Sequence, residues 1–268
     1  MKNLFKYKLL LLNSLFFIPF SYSDTSDYIY PNSSFPSYSN YGTLGLIQMP
    51  SARMHEAGTL AFSWNKSDPY LRGSILAYPF DWFEASYQYV DINNALYSNI
   101  KQFSGNQSYK DKSFDAKILL YKESRFLPQI AIGARDLAGT GVFSSEYFVA
   151  SKKINNFDLT LGLGWGTISN NGRKNPLIKI SERFRERTEL ENTLGGDFNT
   201  GYFFSGDVGI FGGVEAYLPN MRGLRFKIEY DSTDYEQEGF PEGRKSFNLA
   251  YAPVKQPQSK INFGFLYP

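Results

Sequence analysis

A single histidine, His55, stands between Met54 and Glu56 in a chain of 268 residues that contains no cysteine. One imidazole cannot build a multi-histidine metal cluster or proton relay. With no serine or cysteine motif beside it, His55 reads as an exposed turn residue rather than as the base of a nucleophilic pair. Gly139-Thr140-Gly141 lacks the lysine and the following helix of a phosphate loop and reads as a turn. Asp, Glu, Ser and Tyr are present in no arrangement that suggests a reaction. No catalytic residue, cofactor or metal is therefore assigned, and the chain is read as non-enzymatic.

The polar residues that invite a role sit at alternate positions. Glu84, Gln88, Asp115, Lys117, Tyr121, Arg135, Asp158, Arg225, Lys227 and Glu229 fall on the polar side of runs whose other side is apolar. On strands with rings facing lipid they would point into a lumen. Two uses stand open there: cross-strand ion pairs that plug and brace a barrel, or the lining of a passage, with Tyr121 on its inward side. A second basic group lies farther along. Asn175 can cap, Pro176 suits a first helical position, and Leu177, Ile180 and Phe184 recur at helical spacing while Lys179, Arg183, Arg185 and Arg187 stay polar. This predicts a short basic amphipathic helix. It would rest on a barrel rim or on lipopolysaccharide, or fold into the lumen as a constriction.

The elements that position these residues are strands. Phe157, Leu159, Leu161, Leu163 and Trp165 alternate with Asp158, Thr160, Gly162, Gly164 and Gly166, and ten residues is membrane length for a tilted strand. Similar alternation predicts strands at 44–49, 59–66, 71–78, 83–91, 112–121, 129–136, 146–153, 157–166, 207–217, 224–230, 246–251 and 260–267. The expected fold is all-β, an antiparallel transmembrane β-barrel of about twelve strands with a short helix in a long loop. A soluble sandwich also alternates. Against it stand the rings at strand ends, Trp64, Tyr78, Tyr89, Trp165 and Tyr230, and the run Gly162, Gly164, Gly166, which weakens a strand unless it makes room for bulky neighbours. Connector lengths alternate as well, long after 83–91 and 157–166 and tight before 83 and 157. If 44–49 spanned the membrane, that parity would put the long loops on the periplasmic side. The segment is shorter than its neighbours and carries Gly45, so it is read as lying inside the barrel, with Pro50 to Gly58 leading into the first wall strand.

The first residues carry Lys2, Lys6 and Lys8, an apolar stretch from Leu9 to Phe20, and Ser21-Tyr22-Ser23 before Asp24. That is the layout of a signal peptide, 1–23. Residues 24–43, with the Ser-, Pro- and Tyr-rich tract 33–41, read as a flexible entry segment, and 44–268 as one barrel domain. The chain has 28 Lys and Arg against 26 Asp and Glu. Three of those lysines belong to the leader, so the mature charge is close to neutral and nucleic acid is not an expected partner. Without cysteine there is neither a disulfide framework nor a lipid attachment site in this sequence.

Several stretches, in order, resemble one family. They are Gly45-Leu46-Ile47-Gln48-Met49-Pro50-Ser51-Ala52-Arg53-Met54, Asp68-Pro69-Tyr70, Glu123-Ser124-Arg125-Phe126-Leu127-Pro128, Gly133-Ala134-Arg135-Asp136, Ser144-Ser145-Glu146-Tyr147, Phe211-Gly212-Gly213-Val214-Glu215 and Glu229-Tyr230-Asp231-Ser232. Across about residues 42 to 266 the chain is similar to the YjbH-like exopolysaccharide family. The resemblance implies an outer-membrane barrel, localised there after cleavage near Ser23, that serves exopolysaccharide biosynthesis or export. It implies no catalytic residues. Expected partners are outer-membrane lipid, lipopolysaccharide, exopolysaccharide and other export-system proteins. Members of that family are longer, with a further β-rich portion, so this chain reads as a minimal single-barrel form or a shortened frame. A general porin-like channel and a structural or adhesive barrel, binding through loops 92–111 and 167–206, are the competing readings.

Overall fold

The computed structural model describes residues 36–98, 100–169, 172–187, 201–218, 221, 224–236 and 254–267. Ten strands follow one another: β1 (Thr59–Ser67), β2 (Tyr70–Phe80), β3 (Phe83–Leu96), β4 (Ser108–Tyr121), β5 (Gln129–Ala138), β6 (Ser145–Ile154), β7 (Phe157–Gly166), β8 (Gly209–Leu218), β9 (Leu224–Tyr230) and β10 (Ile261–Leu266). They form one sheet in chain order, each pair antiparallel. A single helical turn, α1 (Lys101–Ser104), sits in the β3–β4 connector.

Ten of the twelve strands read from the sequence are strands here. The expected strand 246–251 lies outside the described residues. The stretch 44–49 is a run of bends and isolated bridges, Tyr38 to Leu44 and Gly45 to Pro50, and is not a wall strand. It is apolar because it is buried inside the sheet. Its removal from the wall also settles the parity of the connectors. The spans 97–107, 139–144, 167–208 and 231–260, with the tight turn 68–69, leave one end of the sheet. The spans 81–82, 122–128, 155–156 and 219–223 leave the other, where β1 begins and β10 ends.

Period-two alternation forms these strands, and it is sorted in the reverse of a soluble protein's order. On β7, Leu161 is 65% exposed while Thr160 beside it is buried. On β1, Phe62 is 67% exposed and Ser63 is buried. Leu60, Trp64, Ile75, Phe114, Ile118, Phe263 and Phe265 are exposed on the same face of the sheet. The opposite face holds Ser86, Gln88, Ser113, Lys117 and Glu229, all buried.

Two rings depart from the expected sorting. Tyr78 is not at the outer edge but buried on the polar face, where its hydroxyl donates to Glu84 Oε2 at 2.6 Å. Trp165 keeps its outward parity but is buried, because Phe204 from the β7–β8 connector packs edge-on against it at 5.2 Å.

The glycines of β7 are spacers. A Cβ on Gly162 would overlap the ring of Phe211, and one on Gly164 would overlap the side chain of Ile168. Both neighbours are fully buried, so neither can swing into solvent. Replacing Gly162 with valine is expected to destabilise the fold by about 1–3 kcal/mol through overpacking, read as a lowered urea midpoint of the folded protein.

Candidate functional site: a segment held inside the sheet

Residues 36–58 run along the polar face before entering β1. Residues 37–38 lie at the end where β1 begins, where the Ser37 hydroxyl meets Glu215 on β8 and Tyr38 Oη lies 2.8 Å from His55 Nε2. The chain climbs to Tyr41, turns back so that Tyr38 bridges Leu44, reverses again through 45–50, and continues to Ala52 and Arg53 beside Ser151 and Asp158. Its own amides satisfy part of its backbone: Ser39, Asn40, Gly45, Leu46 and Ser51 donate to carbonyls within the segment. Gly45 is required at the reversal, since a Cβ there would overlap the Met49 carbonyl.

Wall side chains satisfy much of the rest. Glu229 accepts from three successive amides, Ile47 at 2.8 Å, Gln48 at 2.9 Å and Met49 at 2.9 Å. Two residues earlier on the same face, Lys227 Nζ donates to the carbonyls of Tyr38, Gly45 and Leu46 at 3.2, 3.0 and 2.6 Å. Arg135 Nη2 donates to Gln48 O at 2.8 Å, Lys117 Nζ to Arg53 O at 2.8 Å, and Gln129 Nε2 to Ala52 O at 2.7 Å. Hydrogen bonds to a charged partner contribute about 1.5–3 kcal/mol each. The buried charges and the irregular backbone thus satisfy one another.

The segment also anchors the apolar core. Tyr41 packs with Tyr70, Val90, Ile92 and Phe143. Met49 and Ala52 join Ala131, Tyr147, Val149, Ile168 and Phe211. Leu44 joins Leu76 and Tyr78. Arg72 lies over the rings of Tyr41, Tyr70 and Phe143, and Arg135 is 3.8 Å from the Tyr41 centroid. These contacts bring the 139–144 connector down onto the segment. In the tract 36–43, expected to be part of a flexible entry, Ser37, Ser39 and Tyr41 through Thr43 are buried, because Tyr41 and its neighbours supply this core.

The other residues singled out in the sequence divide clearly. Glu84 pairs with Lys117 at 2.9 Å. Asp115 accepts from Gln88 at 3.1 Å and from the Asp136 amide at 2.8 Å. Asp158 receives Arg53 in a bidentate pair at 2.7 and 2.9 Å, and Arg225 meets Glu215 at 2.8 Å. Tyr121 is half-buried at the end of β4, away from this cluster. The expected basic helix is two separate 3₁₀ turns, Pro176–Lys179 and Glu182–Phe184. Asn175 does cap the first, accepting from Leu177 N, but Ser181 caps a second start and breaks the run. Lys179, Arg183 and Arg185 are exposed. Arg187 instead forms a bidentate pair with buried Glu146 at 2.8 and 2.9 Å. By strand alternation Glu146 shares the outward face with Phe148, so this connector folds over the outside of the wall.

Sequence reading missed Arg53, Glu123, Gln129, Ser151 and Glu215. Arg53 reaches Glu123 at 2.6 Å and Gln129 at 3.1 Å as well as Asp158. Glu215 was legible from alternation with Gly213 and Phe211 on β8. Arg53 was not, since no periodicity marks an irregular segment. Among the described residues, no group of three or more His, Cys, Asp or Glu side chains is placed to hold a metal.

Fold and site together define an all-β protein whose single antiparallel sheet packs its polar face on residues 36–58. The family described as exopolysaccharide biosynthesis protein YbjH matches residues 37–268, and this chain belongs to it. It is 40% identical over 239 residues to a protein of Escherichia coli (strain K12) called "Uncharacterized lipoprotein YjbH". The match covers 89% of this chain and 32% of that relative, so the chain spans about a third of the relative's length. No solved structure matches it.

Two measurements probe the segment. Glu229→Ala, which leaves three amides short of an acceptor, is expected to cost about 3–5 kcal/mol in urea unfolding, and Glu229→Gln, which keeps one acceptor, less. His55 is half-buried against Tyr38 and Tyr78 rather than exposed. Burial lowers its pKa from 6.5, Glu84 opposes that, and Lys117 adds to it. Because the folded value is the lower one, its contribution is complete above about pH 6.5 and is lost as pH falls through the folded value. The fall in stability between about pH 7 and pH 5 should therefore flatten in His55→Gln.

Proposed function

We propose that the chain is an outer-membrane β-barrel domain that serves exopolysaccharide biosynthesis or export without catalysing a reaction itself. The observation that carries this reading is the inverted sorting of the sheet. Soluble monomers rarely expose apolar patches beyond a few hundred Å², whereas Leu60, Phe62, Trp64, Leu161, Phe263 and Phe265 stand out together on one face. In hydrocarbon that face is favourable, and every backbone group must then be paired, which requires the sheet to close. Two consecutive residues support closure: Ile47 packs at Gly264 on β10 while Gln48 Nε2 donates to Ser67 on β1 at 3.4 Å. Both edges therefore border the same stretch of the inner segment. Exposed rings such as Trp64, Trp82 and Tyr230 suit the membrane interfaces. Among the described residues no helix is long and apolar enough to cross a membrane, so strands do so in this reading.

The long connectors then face outward to lipopolysaccharide, and the short ones, with the start of β1, face the periplasm. The relative's name, a lipoprotein, agrees with an envelope location. A general porin needs an open lumen. The inner segment, held by Lys227, Glu229, Arg135 and Lys117, favours a filled one and a role alongside other export-system proteins. The protein should fractionate with the outer membrane, and deletion of its gene should abolish polymer output. Leu161→Arg should destabilise the lipid-inserted form by about 2–4 kcal/mol. Recovery as a detergent-independent monomer from the soluble periplasm would overturn the reading.

A further inference from the structure

The inner segment leaves a recess at the short-connector end. Its volume is about 750 Å³, within the range of about 300–1,000 Å³ typical of small-ligand sites. Residues 53–56, the 81–82 turn, the 122–128 connector and the end of β6 surround it, with buried Leu119 in its wall. Five cationic side chains, Arg53, Lys122, Arg125, Lys152 and Lys153, line it against three carboxylates, Glu56, Asp81 and Glu123. Glu123 is already shared among Arg53 at 2.6 Å, Lys152 at 3.1 Å and the Lys153 amide at 2.8 Å. Lys122 takes Asp81 at 3.5 Å. The excess charge in the recess is positive.

Its rim carries an exposed ring. Phe126 is 84% exposed at the tip of the 122–128 connector, and Arg125 lies over it at 5.4 Å. Lys152 Nζ fixes the connector that presents both, donating to the carbonyls of Ser124 and Arg125. Cations beside an exposed aromatic face match an acidic sugar, which offers a carboxylate on one side and an apolar C–H face on the other.

We propose that this recess binds a uronic-acid unit of an acidic polysaccharide, with Arg125 toward the carboxylate and the Phe126 ring under the sugar. This rests on the orientation argued above, in which the recess opens to the periplasm. The test is calorimetric titration of the full chain in detergent with trigalacturonic acid, and with cellotriose as the neutral control. Saturable binding of the acidic trimer alone, weakening as salt rises, is expected. Arg125→Ala and Phe126→Ala should each weaken it about tenfold, and because both side chains are exposed these variants should fold. Lys179→Ala, on an exposed turn of another connector, should leave it unchanged. Absence of binding, equal binding of cellotriose, or binding that survives loss of Arg125 and Phe126 overturns the proposal. The proposed function stands or falls separately, on outer-membrane fractionation and on polymer loss after gene deletion, neither of which depends on the recess binding sugar.

Discussion

A charge removed from water needs a partner within bonding distance, and in this protein much of that partner is peptide backbone. Lys227 and Glu229 grip opposite poles of the reversal at 45–50, one collecting carbonyls and the other amides. An irregular segment away from solvent needs such groups as much as they need it. Remove the segment, and Arg135 loses Gln48 and Tyr41 while Glu229 loses three amides. Remove those side chains, and a run of bends has nowhere to send its hydrogen bonds. The polar interior and the folded-in segment are one construction, and the apolar exterior is what remains for the other side of each strand.

That construction separates the surface into three chemistries. The wall presents aliphatic and aromatic side chains. The long-connector end is tied down by apolar and ionic contacts, Phe143 onto Tyr41 and Arg187 onto Glu146. The short-connector end keeps its cations around an open recess. The chain belongs to the exopolysaccharide biosynthesis family and spans about a third of the length of its E. coli relative.

How much of this was written in the sequence varies by element. The alternation on β7 gave the right strand with the right face outward, because side-chain parity is local and needs no knowledge of neighbours. The same reasoning placed Lys117, Lys227 and Glu229 on the polar side, but could not say that their partners would be carbonyls and amides of residues 38–53. Such pairings span the whole chain. Tyr78 was assigned to the wrong side because a ring at a strand end resembles a membrane anchor, whereas its hydroxyl is committed to Glu84. The basic helix failed at Ser181. Asn175 and Pro176 did start a turn, but a second cap two residues after Lys179 redirected the chain, and Arg187 went to Glu146, whose pull no helical period encodes. Residues 44–49 were the closest case. Composition resembled a strand, and connector parity, short length and Gly45 argued that they belonged inside.

The contact between residues 45–49 and β9 joins the beginning of the chain to a strand some 180 positions later. Long closures of this kind are slow, because the entropy of bringing distant parts together is lost before their contacts form. Until β9 is in place, the amides of Ile47, Gln48 and Met49 lack the Glu229 carboxylate, and the carbonyls of Gly45 and Leu46 lack Lys227. The reversal therefore gains its full set of partners only late in folding.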